Sequence, residues 1–135
     1  MEFPFYITVQ TAVALSVLQG LLMLRVGLYR TKVRVPYGDG GDETLLRRIR
    51  AHGNLAENAS LVLVLLALAE FSGLGANIVG GFAAFFVIAR VVHALAITSG
   101  KATPLRVLGA LGTVGTQIGL AIVLLLNVVL PSAGI

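Results

Sequence analysis

Four polar side chains recur on one face of an otherwise apolar segment. Arg47, Arg50, Asn54 and Glu57 are separated by three, four and three residues, so a helix places them in one row. Guanidinium, amide and carboxylate groups in such a row are able to bind a polar, charged ligand. The alternative is structural, an internal salt bridge that joins Glu57 to Arg47 or to Arg50.

A second group of polar residues lies further along the chain. Arg90 and His93 are three residues apart and share a helix face, and Pro104 and Arg106 begin the next helical segment. A cation in the first turn opposes the helix dipole, so Arg106 predicts a compensating anion, either a bound ligand or Glu57. Arg90 has a purely structural alternative, since a cation is favoured at a helix C-terminus or among lipid headgroups.

The composition defines the setting of these residues. The chain has 135 residues, 57% hydrophobic and 12% charged, with a mean hydropathy of +0.95. Soluble domains are about 45–50% apolar and about 25% charged, so an integral membrane protein fits better. The net charge of +4 does not predict nucleic-acid binding, because the basic residues flank apolar segments. The absence of cysteine excludes disulfides and thiolate ligands, and with two histidines on different helices no metal site is predicted.

The apolar segments predict an all-α membrane protein. A membrane-spanning helix needs about 20 mostly apolar residues. The uncharged stretch 58–69 is too short alone, so the second helix must include the polar row that precedes it. Residues 1–135 are therefore predicted to form a single domain, a bundle of four transmembrane helices near 5–29, 44–71, 75–99 and 104–130.

Lysine and arginine predict the orientation of this bundle. All ten lie at or between the first and second helices or the third and fourth. Because cytoplasmic loops are enriched in basic residues, the 30–43 and 100–103 loops are predicted to be cytoplasmic and both termini periplasmic. The chain begins Met-Glu-Phe-Pro without a basic region, so the first helix is predicted to be retained. Asp42 is predicted to cap the second helix, and His52, which points away from the polar row, to hydrogen-bond the loop or a neighbouring helix.

These motifs together resemble a known family. The run RAHGNLAE over residues 50–57, the Arg90-x-x-His93 pair, the Pro104-x-Arg106 turn and the GDGG loop over 38–41 are similar to the MAPEG superfamily, the membrane-associated proteins in eicosanoid and glutathione metabolism. The GDGG loop resembles its small bacterial branch. The resemblance covers nearly the whole chain and implies a homotrimer of four-helix bundles in a bacterial inner membrane.

The resemblance also implies a ligand and a reaction. Glutathione is expected between neighbouring subunits near the cytoplasmic side, with Arg30 and Arg50 on its carboxylates, Asn54 and Glu57 on its backbone and amino groups, and His93 nearby. Arg106 is expected to be catalytic, because a cation beside a thiol favours the thiolate. That thiolate is expected to attack a hydrophobic electrophile, or to reduce a lipid hydroperoxide, drawn from the membrane lipid.

Three positions depart from the catalytic members of the family. Ile97, Val107 and Ala110 stand where those members carry tyrosine, serine and tyrosine. A membrane glutathione transferase or peroxidase remains the first hypothesis. The second is a noncatalytic MAPEG-type protein that binds a lipid or a partner protein. The third is a small multidrug-type transporter that uses Glu57 as its membrane carboxylate.

Overall fold

Four long helices account for most of the chain. The computed structural model describes residues 4–100, 104–132 and 134, and helices α1 (Tyr6–Val33), α2 (Glu43–Phe71), α3 (Ala76–Thr98) and α4 (Pro104–Leu124) follow in order. Helix α4 continues through a π-helical segment, Leu125–Val129, into a last turn, Leu130–Ser132. All four helices are long and apolar enough to span a membrane. The predicted all-α bundle of four transmembrane helices is thus confirmed.

The helix ends follow from local interactions. Asp42 caps α2, because its Oδ1 accepts a hydrogen bond from the Leu45 N–H at 2.8 Å, as predicted. Helix α1 runs four residues beyond its predicted end at residue 29. Arg30 and Lys32 stabilise its last turn, because positive charges interact favourably with the negative end of the helix dipole. Arg34 then ends the helix in the left-handed conformation, with φ of 59°.

The opposite end of α1 is held by another helix. Both carboxylate oxygens of Glu70, in the last turn of α2, accept hydrogen bonds from the N–H groups of Ile7 and Thr8, at 2.8 and 2.7 Å. A carboxylate is favoured at a helix N-terminus both by these free N–H groups and by the dipole. Glu70 therefore fixes where α1 begins relative to α2.

The core lies between the four helices, and each contributes to it. The largest fully buried side chains are Phe86, Leu45, Leu66, Leu120, Val62, Val79 and Thr116. Close contact between α3 and α4 depends on small residues, because a Cβ added at Gly109 would lie 2.6 Å from the Cβ of His93. This contact brings the C-terminal half of α3 against the N-terminal half of α4, where the candidate site lies.

Helices α1 and α2 are joined by a side-chain hydrogen bond. His52 Nε2 and Gln19 Nε2 are 2.9 Å apart, and because the amide nitrogen donates, the ring nitrogen accepts. This contact confirms the prediction that His52 bonds a neighbouring helix. The bond lies on the side of α2 away from the polar row.

Candidate functional site

Arg90 links three helices at the base of the site. Its side chain is only 2% exposed. Nη1 donates to Asn54 Oδ1 on α2, and Nη2 donates to the Gly109 carbonyl on α4, both at 2.6 Å. The same carbonyl accepts a further hydrogen bond from the Thr113 hydroxyl at 3.1 Å. Arg90 therefore holds Asn54 in place and has no carboxylate partner among the described residues.

His93 joins α3 to the first turn of α4. Its Nδ1 lies 3.0 Å from the Arg106 carbonyl oxygen. Because a carbonyl only accepts hydrogen bonds, Nδ1 is the donor, and in the neutral ring Nε2 is an acceptor. Nε2 is buried without a hydrogen-bond partner in the described part of the chain. His93 thus fixes the backbone that carries Arg106 and keeps one acceptor for a ligand donor.

A pocket of about 800 Å³ opens beside these residues. Its polar wall consists of Arg50, Asn54, His93 and Arg106, four of the residues predicted to form the site. The remaining wall is apolar, and it consists of Ile97, Pro104, Val107, Ala110, Leu111 and Val114. The pocket therefore combines two cationic residues with a largely apolar lining.

Asn54 contributes one polar group to this pocket. Its Oδ1 is committed to Arg90, and this leaves its Nδ2 as a donor for a ligand. One turn further along α2, Asn58 Nδ2 donates to the Asn54 carbonyl at 2.8 Å, and Gln117 Nε2 donates to Asn58 Oδ1 at 3.2 Å. A continuous polar network therefore connects α2, α3 and α4 below the pocket.

Two predicted site residues are not on the pocket wall. Arg30, near the end of α1, donates from Nη1 to the carbonyls of Val35 and Gly38, at 3.2 and 2.7 Å. Glu57 is exposed on the outer face of α2 and makes no ion pair among the described residues. The alternative of an internal salt bridge is wrong for this chain, since Arg47 pairs with Glu43 at 3.0 Å instead. The expected contacts of Arg30 and Glu57 with glutathione remain predictions.

Two contributors to the site escaped the sequence analysis. The Gly109 carbonyl is a main ligand of Arg90, yet a glycine in a small-residue stripe indicates only close packing. Asn58 lies one helical turn after Asn54, yet it was assigned no contact, because spacing along one helix does not identify a partner on another. Within the described ranges, no three His, Cys, Asp or Glu residues come together in a way that suits a metal ion.

Comparison with protein families gives a match that covers most of the chain. The model of the MAPEG family matches residues 8–126. These boundaries include α1 from Thr8 onward, the whole of α2, α3 and α4, and every residue on the pocket wall. No solved structure matches the chain.

Comparison with curated proteins adds two relatives. Inner membrane protein YecN of Escherichia coli strain K12 and of strain O6:H1 are each 37% identical to the chain over 62 residues. The matched segment is 43% of this chain and 47% of each relative. The chain therefore spans about half the length of the curated relatives that it matches.

Proposed function

The chain belongs to the MAPEG family, and on that premise we propose that it is a glutathione-dependent enzyme of the bacterial inner membrane. It transfers glutathione to hydrophobic electrophiles or uses glutathione to reduce lipid hydroperoxides. The inner-membrane location is supported by the two Escherichia coli relatives, which are named inner membrane proteins. The activity is supported by the composition of one pocket.

The observation that carries the proposal is the convergence of Arg50, Asn54, His93 and Arg106 on the 800 Å³ pocket. Arg50 and Arg106 make no hydrogen bond or ion pair through their side chains in the described part of the chain. Their guanidinium groups are therefore available to the carboxylates and the sulfur of glutathione. The Asn54 amide and His93 Nε2 supply one donor and one acceptor for its backbone.

The polar and the apolar residues that line the pocket have separate roles in the proposed reaction. Arg106 stabilises the thiolate of glutathione, because a nearby cation lowers the pKa of a thiol. The apolar wall of Val107, Leu111 and Val114 admits a hydrophobic electrophile from the bilayer. The thiolate sulfur then forms a bond to the electrophilic carbon and displaces its leaving group or opens its ring.

A second candidate function is a noncatalytic lipid-binding protein on the same scaffold. Ile97, Val107 and Ala110 all lie on the pocket wall. At these positions the catalytic relatives implied by the resemblance carry hydroxyl groups. The pocket is therefore more apolar than a glutathione site of that type, and this favours a bound lipid.

We further propose that the protein acts as a homotrimer. Glu57 lies halfway along α2 and is exposed on the single chain. A carboxylate at this depth costs about 2.5–3.5 kcal/mol or more if lipid surrounds it. A neighbouring copy that covers this face removes that cost.

Glutathione binding tests the proposed activity. The purified protein in a non-ionic detergent is titrated by calorimetry while the ultraviolet absorbance of the thiolate is recorded. Wild type is expected to bind and to show thiolate, and Arg106→Ala to lose the thiolate signal. Arg25→Ala is the matched control, since Arg25 is an exposed cation on α1 away from the pocket.

The other outcomes of this titration distinguish the two candidate functions. Binding without thiolate in wild type contradicts the enzyme and supports the noncatalytic protein. A complete absence of glutathione binding by folded protein overturns the glutathione proposal. Retention of a hydrophobic lipid through purification then supports the second candidate.

A further inference from the structure

A second cavity adjoins the pocket on the side of the α3–α4 connection. It has a volume of about 320 Å³ and lies between the first turns of α2, the C-terminal end of α3 and the first turn of α4. We call this cavity the arginine cleft. Among the described residues it is lined by Leu46, Arg47, Arg50, Ala96, Ile97, Gly100 and Arg106.

Three arginine residues, Arg47, Arg50 and Arg106, line the small volume of the arginine cleft. Arg47 is fixed there, because its Nη1 donates to Glu43 Oε2 at 3.0 Å and its Nη2 to the Thr44 hydroxyl at 3.2 Å. Its Nε is buried and has no partner in the described part of the chain. A Cβ added at Gly100 would lie 3.3 Å from Arg47 Cζ, so the guanidinium packs against the backbone after α3.

The charges of the arginine cleft are not balanced within the described part of the chain. No described lining residue carries a carboxylate. Glu43 compensates Arg47 alone, from a side chain that is 85% exposed. Arg50 and Arg106 have no acidic partner among the described contacts, and the first turn of α4 adds the positive end of a helix dipole. Like charges held together in this way favour a bound anion.

We infer that the arginine cleft binds a phosphate group, at a site that shares Arg50 and Arg106 with the proposed glutathione pocket and differs from it by Arg47. Planar guanidinium forks suit oxyanions, and three of them need more acceptor atoms than the two oxygens of one carboxylate provide. A phosphate group has enough oxygens for all three. The cleft lies at the end of the spans, at the level where lipid headgroups are found, so an anionic phospholipid and a soluble phosphate are both possible sources.

A substitution at Arg47 distinguishes the arginine cleft from the glutathione pocket in an experiment. Arg50, Ile97 and Arg106 line both cavities, whereas Arg47 lines the arginine cleft and does not line the pocket. Arg47→Gln therefore removes one phosphate ligand without changing the pocket wall. Arg48→Gln is the matched control, because it removes the same charge from the next residue. Arg48 donates to the Arg25 carbonyl at 3.0 Å and lies 4.2 Å from the Tyr29 ring centre, away from the cleft.

The experiment measures thermal unfolding without glutathione, so its result does not depend on the proposed function. One arm adds inorganic phosphate to the protein in a non-ionic detergent. The other compares nanodiscs of phosphatidylcholine with and without phosphatidylglycerol. A ligand that binds only the folded state raises the midpoint of unfolding. Wild type and Arg48→Gln are expected to be stabilised, and the apparent affinity of Arg47→Gln to fall by about tenfold or more.

A second variant keeps the test valid if Arg47→Gln does not fold. Leu46 is 42% exposed at the rim of the cleft, so Leu46→Glu adds a carboxylate that competes with phosphate and leaves Arg47 intact. Stabilisation by phosphatidylglycerol alone identifies a lipid headgroup as the ligand, and stabilisation by both probes identifies any phosphate. No stabilisation of wild type, or equal stabilisation of all variants, overturns the inference.

Discussion

Arg90 is a buried cation that neutral oxygen atoms hold in place. Its guanidinium bonds the Asn54 amide oxygen and the Gly109 carbonyl, and its Nε has no partner within the described contacts. The cost of burying a charge is large, so each remaining ligand of that charge matters more than an ordinary hydrogen bond. Asn54 therefore contributes to the stability of the bundle as well as to the pocket wall.

Substitutions at Asn54 test this role in opposite directions. Asn54→Leu removes an acceptor from a charged donor and is expected to lower the free energy of unfolding by about 1.5–3 kcal/mol. Asn54→Asp places a carboxylate beside the guanidinium and is expected to raise the unfolding midpoint. Asn58→Leu is the control, since it breaks bonds between neutral groups and is expected to cost about 0.5–1.5 kcal/mol. Equal effects of the two leucine substitutions, or a loss of stability in Asn54→Asp, contradict this account of Arg90.

Spacing along the chain predicted part of the site. Arg50, Asn54, His93 and Arg106 line one pocket, because helical periodicity fixes which residues share a face. It does not fix which partner each side chain finds on another helix. The link from Arg90 to the Gly109 carbonyl could not be predicted for this reason. The pairing of Arg47 with Glu43 instead of Glu57 follows from helix geometry, because Glu43 lies one turn away whereas Glu57 lies about 15 Å along the axis of α2.

The contact between α3 and α4 sets the geometry of the site at the scale of the elements. Cβ atoms added at Gly109 and Gly112 would lie 2.6 Å from His93 Cβ and 2.8 Å from Ala89 Cβ. Both neighbours are buried, so neither is able to move aside without separating the helices. Gly115, on the same helix, has no atom within 4 Å of an added Cβ.

Alanine substitutions at these three glycines are expected to change the stability of the protein in opposite directions. Gly109→Ala moves α4 away from His93 and is expected to lower stability by about 1–3 kcal/mol and to weaken any ligand binding in the pocket. Gly112→Ala is expected to act in the same direction. Gly115→Ala meets open space and is expected to raise stability by up to about 1 kcal/mol, because alanine favours the helix. Thermal unfolding in detergent measures all three, and a destabilised Gly115→Ala variant together with an unaffected Gly109→Ala variant refutes the packing argument.

The helices themselves were predictable because length, apolar content and capping residues act locally. The second helix is the clearest case. Its polar first half was predicted to belong to a span because residues 58–69 alone are too short, and α2 does begin at Glu43. The extension of α1 to Val33 was missed. The helix ends at Arg34, which adopts the left-handed conformation. Non-glycine residues rarely adopt this conformation, so an arginine in the sequence does not predict it.

The exposed face of α2 concerns the whole molecule. Glu57, Leu61, Val64 and Leu68 are all exposed on the single chain, and helical spacing places them together. The proposed homotrimer buries this face. The chain contains no cysteine, so a cysteine introduced at Leu61 is the only thiol in the protein.

Oxidation of Leu61→Cys in membranes is therefore expected to give covalent dimers, because one thiol per copy joins only two chains. Native mass spectrometry of the wild type is expected to give the mass of three copies. Ile88→Cys on α3 is the control, at a position that is also exposed and that lies on another helix. A monomeric mass, with no covalent dimer from Leu61→Cys, excludes the homotrimer.

Charge asymmetry predicts how the bundle crosses the membrane. Among the described residues, the end that carries the α1–α2 loop has Arg25, Arg30, Lys32, Arg34, Arg47, Arg48, Arg50 and Arg106, and the α2–α3 turn at the other end has no lysine or arginine. This distribution predicts that the α1–α2 loop is cytoplasmic and that both termini are periplasmic. Labelling of single cysteines from one side of the membrane measures the orientation directly.

The choice of labelling positions follows from the backbone. Gly40 is unsuitable, because its φ is +60° and a Cβ there would lie 2.8 Å from a Val35 methyl group. Tyr37 is 88% exposed in the same loop, and Gly75, before α3, has open space around an added Cβ. A membrane-impermeant maleimide is expected to label Gly75→Cys in intact spheroplasts, and Tyr37→Cys only in inverted vesicles. The reverse pattern refutes the orientation and places Arg106 and the arginine cleft on the periplasmic side, away from the cytoplasmic glutathione that the proposed reaction requires.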